Sequence, residues 1–548
     1  MILWLTASAV MYAAFSSLGS LLSRILAPPN AGGSSNGSSR FDNEEYKNEF
    51  ISELREHTLA LTDDIWKDFW EPDVDLFCNK RASAETVPLG FYNGYTVWTY
   101  TIALQSIIEA ERLSPGRYGD KIASAIETLQ ERFYNSEYKA YSAWLYAKGD
   151  QDVYYDDNAQ IAIAFLDAFL ILDDHKYLDL ARNLCHFLTT GWVSGDSSPG
   201  GIQWHVGDSS PHTDRACCST AITGTALVRT VTVLRSHVQK LKSRSLPHKI
   251  QLSDEEKRSD WVALEHGGSE DSIEELEKDI NKFTDVAWKC GGWLLDKLWI
   301  TEDEHKGDAL TNLIADKLTQ TDGSHWKRDE NTILSYNIGN TLQLLCLLYK
   351  ESQLQSALPT ATTATKPRDF ADACHILAAT SITPYKAIFN TTAPDPAKRI
   401  WADNPFFTHL LVEGLLAYAS TFPSHSKVAA IENMVLHNMA FMKQHLSSAD
   451  NPLLYYRNLR LTRISKEKGE EWNKIMGVHE HANPDESERV YDEPWLGIGE
   501  RHMARTLLAQ GGVARGFALT VGHLGRKKLL EEQTRRVMTS ASLVAGDW

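Results

Sequence analysis

The sequence predicts an all-α protein built as an irregular ring of helical hairpins. From about residue 45, apolar residues recur every three or four positions over long stretches, which is the spacing of a helix with one buried face. Convincing strands are scarce. The stretches predict about twelve helices, near 48–69, 94–113, 117–134, 158–172, 176–190, 216–237, 275–297, 332–350, 368–382, 404–421, 425–446 and 496–511.

A short pattern recurs where one predicted helix is followed by the next. Tyr118, Tyr177 and Phe370 each follow a polar turn and precede an aspartate by two positions. The aromatic ring can pack at the corner between two helices, while the aspartate lies in a first helical turn, where the helix dipole favours negative charge. The corners are unevenly spaced, with no period near the ~34 residues of a tetratricopeptide solenoid. A ring of hairpins therefore fits better than a stacked solenoid.

Composition limits the classes of partner. Hydrophobic residues make up 43% of the 548-residue chain and charged residues 23%, which is typical of a globular protein with a large core. The net charge of −17 repels phosphate backbones, so nucleic-acid binding is not expected. The 16 tryptophans either fill the core or stack on ligands such as sugar rings. The seven cysteines show no C-x-x-C spacing and no legible disulfide framework, so they predict no metal site.

The two ends of the chain differ from its middle. The predicted regions are a signal sequence or apolar anchor at 1–27, a flexible linker at 28–42, one folded domain at 43–530 with charged insertions near 238–273 and 462–492, and a C-terminal tail at 531–548. The apolar start and the glycosylation sequons at Asn36 and Asn390 predict a secreted or cell-surface protein, with an intracellular location as the alternative. Beyond an N-terminal anchor, no stable membrane insertion is expected.

Two neighbouring aspartates, Asp156 and Asp157, open the predicted helix 158–172. One interpretation is that they cap the helix by accepting hydrogen bonds from its free N–H groups. One cap needs one side chain, however, and two adjacent negative charges are unfavourable unless one carboxyl carries a proton. A retaining glycosidase uses this combination, with an ionised nucleophile and a protonated acid about 5 to 5.5 Å apart. The pair can therefore cap the helix and perform catalysis.

Five motifs place this pair in a wider pattern: Tyr155-Asp-Asp-Asn-Ala, Asp174-His-Lys-Tyr-Leu-Asp-Leu-Ala, Gly200-Gly-Ile-Gln-Trp, Cys218-Ser-Thr-Ala-Ile-Thr-Gly and Ser335-Tyr-Asn-Ile-Gly. These motifs occur in the same order as in glycoside hydrolase family 76, which contains endo-α-1,6-mannanases and fungal cell-wall relatives. The chain resembles this family over roughly residues 45 to 450. The resemblance implies an (α/α)6 toroid of six helical hairpins. The twelve helices counted from periodicity agree with it independently.

The resemblance also implies a role for each motif residue. Asp156 would be the nucleophile and Asp157 the general acid and base. The implied substrate-binding residues are Tyr155, Asn158, Gly200, Gly201, Trp204, Tyr336 and Asn337. The glycines would let the loop backbone approach the sugar, the tryptophan would offer a stacking face, and the Tyr-Asn pair would hydrogen-bond hydroxyl groups. This chemistry requires no metal and no cofactor.

Several of these residues have a second interpretation. Trp204 is equally well explained as a core tryptophan, and Tyr336 with Asn337 as the cap of the helix beginning near Ile338. Three positions depart from the family pattern. Gln160 replaces an aromatic, Ile338 replaces a glutamine, and Cys218 stands where relatives have a lysine or asparagine region.

Other polar residues lie near the motifs. The long connection 191–215 is a candidate cleft loop, and its His205 and His212 are expected to be solvated. Asp316 resembles a family aspartate that faces the cleft, with surface exposure as the alternative. Asp403 is expected at the start of a helix.

The function predicted from these observations is retaining hydrolysis of α-1,6-linked mannan within the chain, through a covalent mannosyl-enzyme intermediate. The partner is therefore mannan or another mannose-containing glycan. One alternative is a cell-wall mannan transglycosylase, in which a sugar acceptor replaces water after the same first step. Another is a glycan-binding toroid without catalytic activity.

Overall fold

The computed structural model describes residues 40–78, 95–193, 198–207, 214–245, 272–302, 304, 308–322, 325–354, 367–490, 493–504 and 506–544. The predicted signal or anchor segment 1–27 lies outside the described residues. So do His212, the Asn36 sequon, and most of the linker and of the insertion 238–273.

Within these ranges the chain forms thirteen α-helices and seven short strands. The helices are α1 (Glu44–Phe69), α2 (Val97–Leu113), α3 (Gly119–Phe133), α4 (Tyr155–Leu172), α5 (His175–Thr190), α6 (Cys217–Ser245), α7 (Ile273–Trp293), α8 (Ser335–Leu354), α9 (Pro367–Ser381), α10 (Pro405–Thr421), α11 (Val428–Phe441), α12 (Lys466–Met476) and α13 (Leu507–Val544). The strands are β1 (Trp70–Glu71), β2 (Leu76–Phe77), β3 (Tyr134–Asn135), β4 (Ala140–Tyr141), β5 (Arg215–Ala216), β6 (Lys317–Asp322) and β7 (His325–Arg328). They pair antiparallel in the orders β1-β2, β3-β4 and β5-β6-β7.

The helices form a closed inner ring with a second ring around it. The inner helices α2, α4, α6, α8, α10 and α13 each pack against the next, and α13 packs back against α2. The outer helices α1, α3, α5, α7, α9 and α11 each pack against an inner neighbour. This arrangement confirms the predicted (α/α)6 toroid.

Inner and outer helices differ in how much of their circumference is buried. The outer helix α3 buries a single stripe that includes Ile122, Ile126, Leu129 and Phe133, as a helix packed on one side does. The inner helix α4 is buried at every position from Ile161 to Ala168. Its sequence is therefore apolar on all faces, apart from Asp167, whose charge is paired with arginines. The inner helix α6 is also apolar enough to span a membrane by composition, but 83% of that segment is buried inside the protein, as expected of a core helix.

Buried charged side chains link the inner helices to one another. Arg112 of α2 and Arg229 of α6 both donate hydrogen bonds to Asp167 of α4. Arg515 of α13 donates to Glu413 of α10 at 2.8 Å. We call these five residues the ion network. Because each anion faces at least one guanidinium, the network contains no uncompensated carboxylate.

The corner prediction is confirmed: Tyr118, Tyr177 and Phe370 are each at most 1% exposed where consecutive helices meet. The position predicted for the last helix is wrong, because α13 begins at Leu507 and its backbone stays helical to Val544, within the predicted tail. Its Gly512 lowers helix propensity, but a Cβ there would lie 2.7 Å from the backbone of Phe406 in α10. The residue that weakens the sequence signal thus permits close packing.

Three other segments also differ from expectation. The predicted insertion 462–492 contains the helix α12, whose Trp472 is buried in the core. Helix α6 continues to Ser245, beyond the predicted end at residue 237. In the predicted linker, Phe41 is 1% exposed and packs against Phe50 of α1.

Candidate active site

The first turns of the inner helices meet at one end of the ring. The thiol of Cys218 in α6 donates to the carboxylate of Asp156 in α4. The ring of Phe407 in α10 lies 4.6 Å from Tyr336 in α8 and 6.0 Å from Trp98 in α2, measured between centroids. Contacts between first turns require these helices to run parallel, so their positive dipole ends face the same opening. We call this opening the cleft.

Asp156 and Asp157 are the second and third residues of α4, and both side chains remain partly exposed at the cleft. The backbone fixes the start of the helix, because Tyr155 N donates to Trp204 O at 3.1 Å and Tyr154 forms a β-bridge with His205. The N-cap is Tyr154, which makes no side-chain capping bond. Neither aspartate therefore occupies the N-cap position, and the capping interpretation is wrong in that form.

Asp156 is surrounded by hydrogen-bond donors. Its Oδ2 accepts from the Cys218 thiol at 3.2 Å, and its Oδ1 accepts from the backbone N–H of Asp157 at 3.2 Å. A side-chain hydrogen bond with Trp204 adds a further contact. Burial raises the pKa of Asp156, but each of these donors favours the ionised form and acts in the opposite direction.

Asp157 has no comparable compensation. Burial raises its pKa well above the usual range, and the negative charge of Asp156 raises it further. Two neighbouring carboxyls in such a setting titrate as a pair that retains one proton over a wide pH range. The pKa of Asp156 is itself raised, but the donors around Asp156 favour the state in which Asp157 carries that proton.

A third carboxyl lies beside these first turns. Asp316, which directly precedes β6, accepts a hydrogen bond from the Asn337 side chain at 2.9 Å. Burial raises the pKa of Asp316 to about 6. The negative charge of Asp316 raises the pKa of Cys218 and of Tyr336, as does that of Asp156. Asp316 therefore faces the cleft rather than the outer surface.

Asn337, a predicted substrate-binding residue, is fully buried, and the two predicted substrate-binding residues of α4 also belong to the core. Tyr155 is 4% exposed, stacks on Phe187 at 4.7 Å and pairs its hydroxyl with Thr190. Asn158 is fully buried, and its amide bonds both the N–H and the C=O of Tyr141. Both residues hold α4 in place, and the prediction that they contact sugar is wrong.

The glycine pair serves a different purpose from the one predicted. Gly200 and Gly201 have φ angles of 77° and 84°, which favour glycine. The indole of Trp293 lies against them, and a Cβ on Gly201 would come within 2.7 Å of that ring. Trp293 also donates to Pro199 O at 2.8 Å. The group that approaches this backbone closely is thus a tryptophan of the protein itself.

Of the remaining predicted residues, some lie at the cleft and others stabilise the surrounding fold. Trp204 is half-buried beside Asp156, with its ring 5.0 Å from Tyr154. Tyr336 is half-buried at the cleft. The prediction that His205 is solvated is wrong, because its side chain is 4% exposed and its Nδ1 accepts from Gly207 N. Asp403 caps the start of α8 by accepting from Ser335 N, rather than capping the following helix α10.

Sequence reasoning missed three residues of the cleft: Cys218 as a partner of Asp156, and the aromatic side chains of Trp98 and Phe407. Their residue types did not mark them as cleft residues. Their positions could have done so, because Cys218 and Trp98 are the second residues of inner helices and Phe407 is the third, and these first turns face the cleft. Within the described ranges, no three His, Cys, Asp or Glu side chains are grouped so as to hold a metal ion.

Comparison with known proteins finds a similarity to one family. The model of Glycosyl hydrolase family 76 matches residues 56–229, which include the aspartate pair. Over this stretch, the chain is similar to members of that family. A relative in Schizosaccharomyces pombe, the Meiotically up-regulated gene 191 protein, is 24% identical over 464 residues, covering 83% of this chain and 89% of the relative.

Solved structures of family 76 members share the fold. A family 76 mannosidase from Bacteroides thetaiotaomicron is 16% identical with a TM-score of 0.57, covering 87% of this chain and 100% of the other. An inactive α-1,6-mannanase variant from a Salegentibacter species, with two adjacent aspartates replaced by asparagine, was solved with α-1,6-mannotriose. It is 13% identical with a TM-score of 0.53, covering 86% of this chain and 99% of the other.

Proposed function

We propose that this protein is a retaining glycoside hydrolase of family 76 that cleaves α-1,6-mannosidic bonds inside mannan. The observation that carries the proposal is the unequal pair at the start of α4. Asp156 is surrounded by donors that favour its ionised form, whereas burial and the charge of Asp156 keep a proton on Asp157. Retaining hydrolysis requires this division between nucleophile and acid.

The reaction would proceed in two steps. Asp157 donates its proton to the glycosidic oxygen as Asp156 attacks the anomeric carbon, so the bond to the leaving sugar breaks and a mannosyl ester forms on Asp156. Asp157, now ionised, takes a proton from water, and the hydroxide attacks the same carbon and releases Asp156. The hydrogen bonds from Cys218 and Trp204 hold the carboxylate of Asp156 in place for both steps.

Two further observations support α-1,6-mannan as the substrate. The Salegentibacter relative is described as an α-1,6-mannanase, its inactive variant lacks two adjacent aspartates, and that variant holds α-1,6-mannotriose. Mannan is neutral, so the net charge of −17 does not repel it. The proposal includes secretion or display at the cell surface, on the evidence of the apolar residues 1–27. Recovery of the protein only from the cell interior would contradict that part.

The experiment is to incubate the purified protein with linear α-1,6-mannan and size the products. We expect short oligosaccharides that retain the anomeric configuration, and a rate reduced at least about a hundredfold by Asp156→Asn or Asp157→Asn. Asp174→Asn is the matched control, because Asp174 caps α5 on the surface and asparagine caps equally well.

Full activity in either site variant would overturn the proposal. Products longer than the starting chains, formed only when an acceptor glycan is added, would instead identify a transglycosylase. Binding of mannan without any change in its size would identify a glycan-binding toroid.

A further inference from the structure

A small apolar cluster lies at the cleft, separate from the main core. Its buried members are Ile102, Phe406 and Leu508, and two half-buried rings, Trp98 and Phe407, pack against them. All five belong to the first two turns of α2, α10 and α13. These helix ends face the same opening as the first turn of α4, which carries the aspartate pair.

The rings of this cluster continue towards the aspartate pair. Trp98 and Phe407 are nearly parallel, with an interplanar angle of 23° and centroids 6.0 Å apart. Phe407 lies 4.6 Å from Tyr336. Tyr336 is in turn close enough to Asp156 for that charge to raise the tyrosine pKa. We call Trp98, Phe407 and Tyr336 the aromatic surface, which joins the first turns of α8, α10 and α2 at the cleft.

The chemistry of this surface favours a neutral ring with one apolar face. Its three side chains are uncharged at neutral pH, and the buried cluster beneath Trp98 and Phe407 fixes the position of their rings. A pyranose presents an apolar C–H face that can stack on an aromatic ring, with hydroxyl groups around its edge. The guanidinium of Arg457 packs on the neighbouring Phe406 and donates to Ser487 O, so it is already engaged within the protein.

We propose that the Trp98 and Phe407 end of the aromatic surface binds a pyranose ring of the glycan other than the two rings joined by the bond that is cleaved. The inference rests on the proposed function, because the acid pair defines which bond is cleaved. Binding of such a further ring contributes affinity only when the glycan extends beyond the two rings at the aspartate pair. The cleft would therefore prefer long glycans to short ones.

The test measures binding in an Asp156→Asn background, where the glycan is not consumed. Calorimetry would compare a linear α-1,6-mannohexaose with the corresponding disaccharide. We expect Trp98→Ala to weaken hexasaccharide binding at least tenfold, which is about 1.4 kcal/mol, and to change disaccharide binding less than twofold. Phe407→Leu, which keeps an apolar side chain and removes the ring, is expected to act in the same direction and serves if Trp98→Ala does not fold.

The matched control is Trp66→Ala. Trp66 is also half-buried and stacked on an aromatic neighbour, Trp70, at 4.4 Å, but it lies on the outer helix α1. We expect no change in binding of either sugar. An equal loss for both sugars would place Trp98 beside the cleaved bond and overturn the inference, as would an unchanged hexasaccharide affinity or failure of the background protein to bind either sugar.

The outcomes separate this inference from the proposed function. If the unsubstituted protein cleaves no mannan while the length-dependent loss is observed, the proposed function fails and the aromatic surface is supported. If the protein cleaves mannan and Trp98→Ala binds both sugars normally, the aromatic surface fails and the proposed function is unaffected.

Discussion

One inner helix, α4, carries two carboxyls whose pKa values are shifted in opposite directions. Asp167 lies about three turns beyond Asp157. Burial raises the pKa of both, yet the guanidinium groups of Arg229 and Arg112 outweigh it and lower the pKa of Asp167 to about 2. At Asp157 the neighbouring charge is that of Asp156, which adds to the effect of burial. The partner charge, rather than burial, decides whether a carboxyl of this toroid is structural or available for acid chemistry.

The largest expected effect is at Asp167. Asp167→Asn leaves the buried guanidinium of Arg229 without its hydrogen-bonded anion and leaves Arg112 with Glu109 alone. We expect a loss of about 3–5 kcal/mol in the free energy of unfolding at pH 7, measured with urea. Because its folded pKa lies below the usual value, the stabilisation by Asp167 is present above about pH 4 and lost as the pH falls towards 2.

The control for this variant is Asp285→Asn. Asp285 is 54% exposed in a surface pair with Lys289, so its neutralisation should change stability by less than about 0.5 kcal/mol. Equal effects at Asp167 and Asp285 would show that the ion network does not stabilise the inner ring.

At the cleft, replacing an aspartate by asparagine should raise the free energy of unfolding instead of lowering it. Asp157→Asn removes a carboxyl whose folded pKa is raised, and we expect the variant to be more stable than the parent at pH 7, on the order of 1–2 kcal/mol, while it loses activity. The penalty from a raised folded pKa is present above that pKa and absent below the unfolded value. The advantage should therefore vanish near pH 4 in a thermal unfolding series. A destabilised Asp157→Asn at neutral pH would contradict the comparison.

A smaller effect is expected at Cys218. Cys218→Ala removes a donor to Asp156, so the pKa of Asp156 rises and the acid limb of the pH profile of kcat/KM moves to higher pH. A hydrogen bond of about 1 kcal/mol corresponds to about 0.7 pH unit. Cys218→Ser, which keeps a donor, should retain the limb near its original position. An unchanged acid limb in Cys218→Ala would show that the thiol does not act on Asp156.

The ring of helices was predictable because outer helices buried on one side leave a periodic apolar pattern and inner helices leave long apolar runs, while corner aromatics such as Tyr118 mark the turns. The start of α13 was not, because Gly512 serves backbone contact with α10 and weakens the helical pattern. Within the site, the motif around Asp156 and Asp157 predicts their role. Adjacent carboxyls alone do not, because Glu44-Glu45 and Glu274-Glu275 also lie in first helical turns.

The motif did not reveal which of its residues support the fold. Tyr155 and Asn158 adjoin the acid pair in sequence, but a helix points successive side chains in different directions, and theirs enter the core. Conversely, Trp98 and Phe407 are distant from the motif in sequence. Ring closure alone brings their helix ends to the cleft.

The central claim is that the aspartate pair carries one proton, on Asp157. Infrared difference spectroscopy between the parent protein and Asp157→Asn at pH 6 tests it directly, because the difference isolates this one carboxyl from Asp316 and other buried acids. We predict that the parent shows the carbonyl band of a protonated carboxylic acid that the variant lacks. A difference spectrum containing only carboxylate bands would mean that Asp157 is ionised, and would contradict the account.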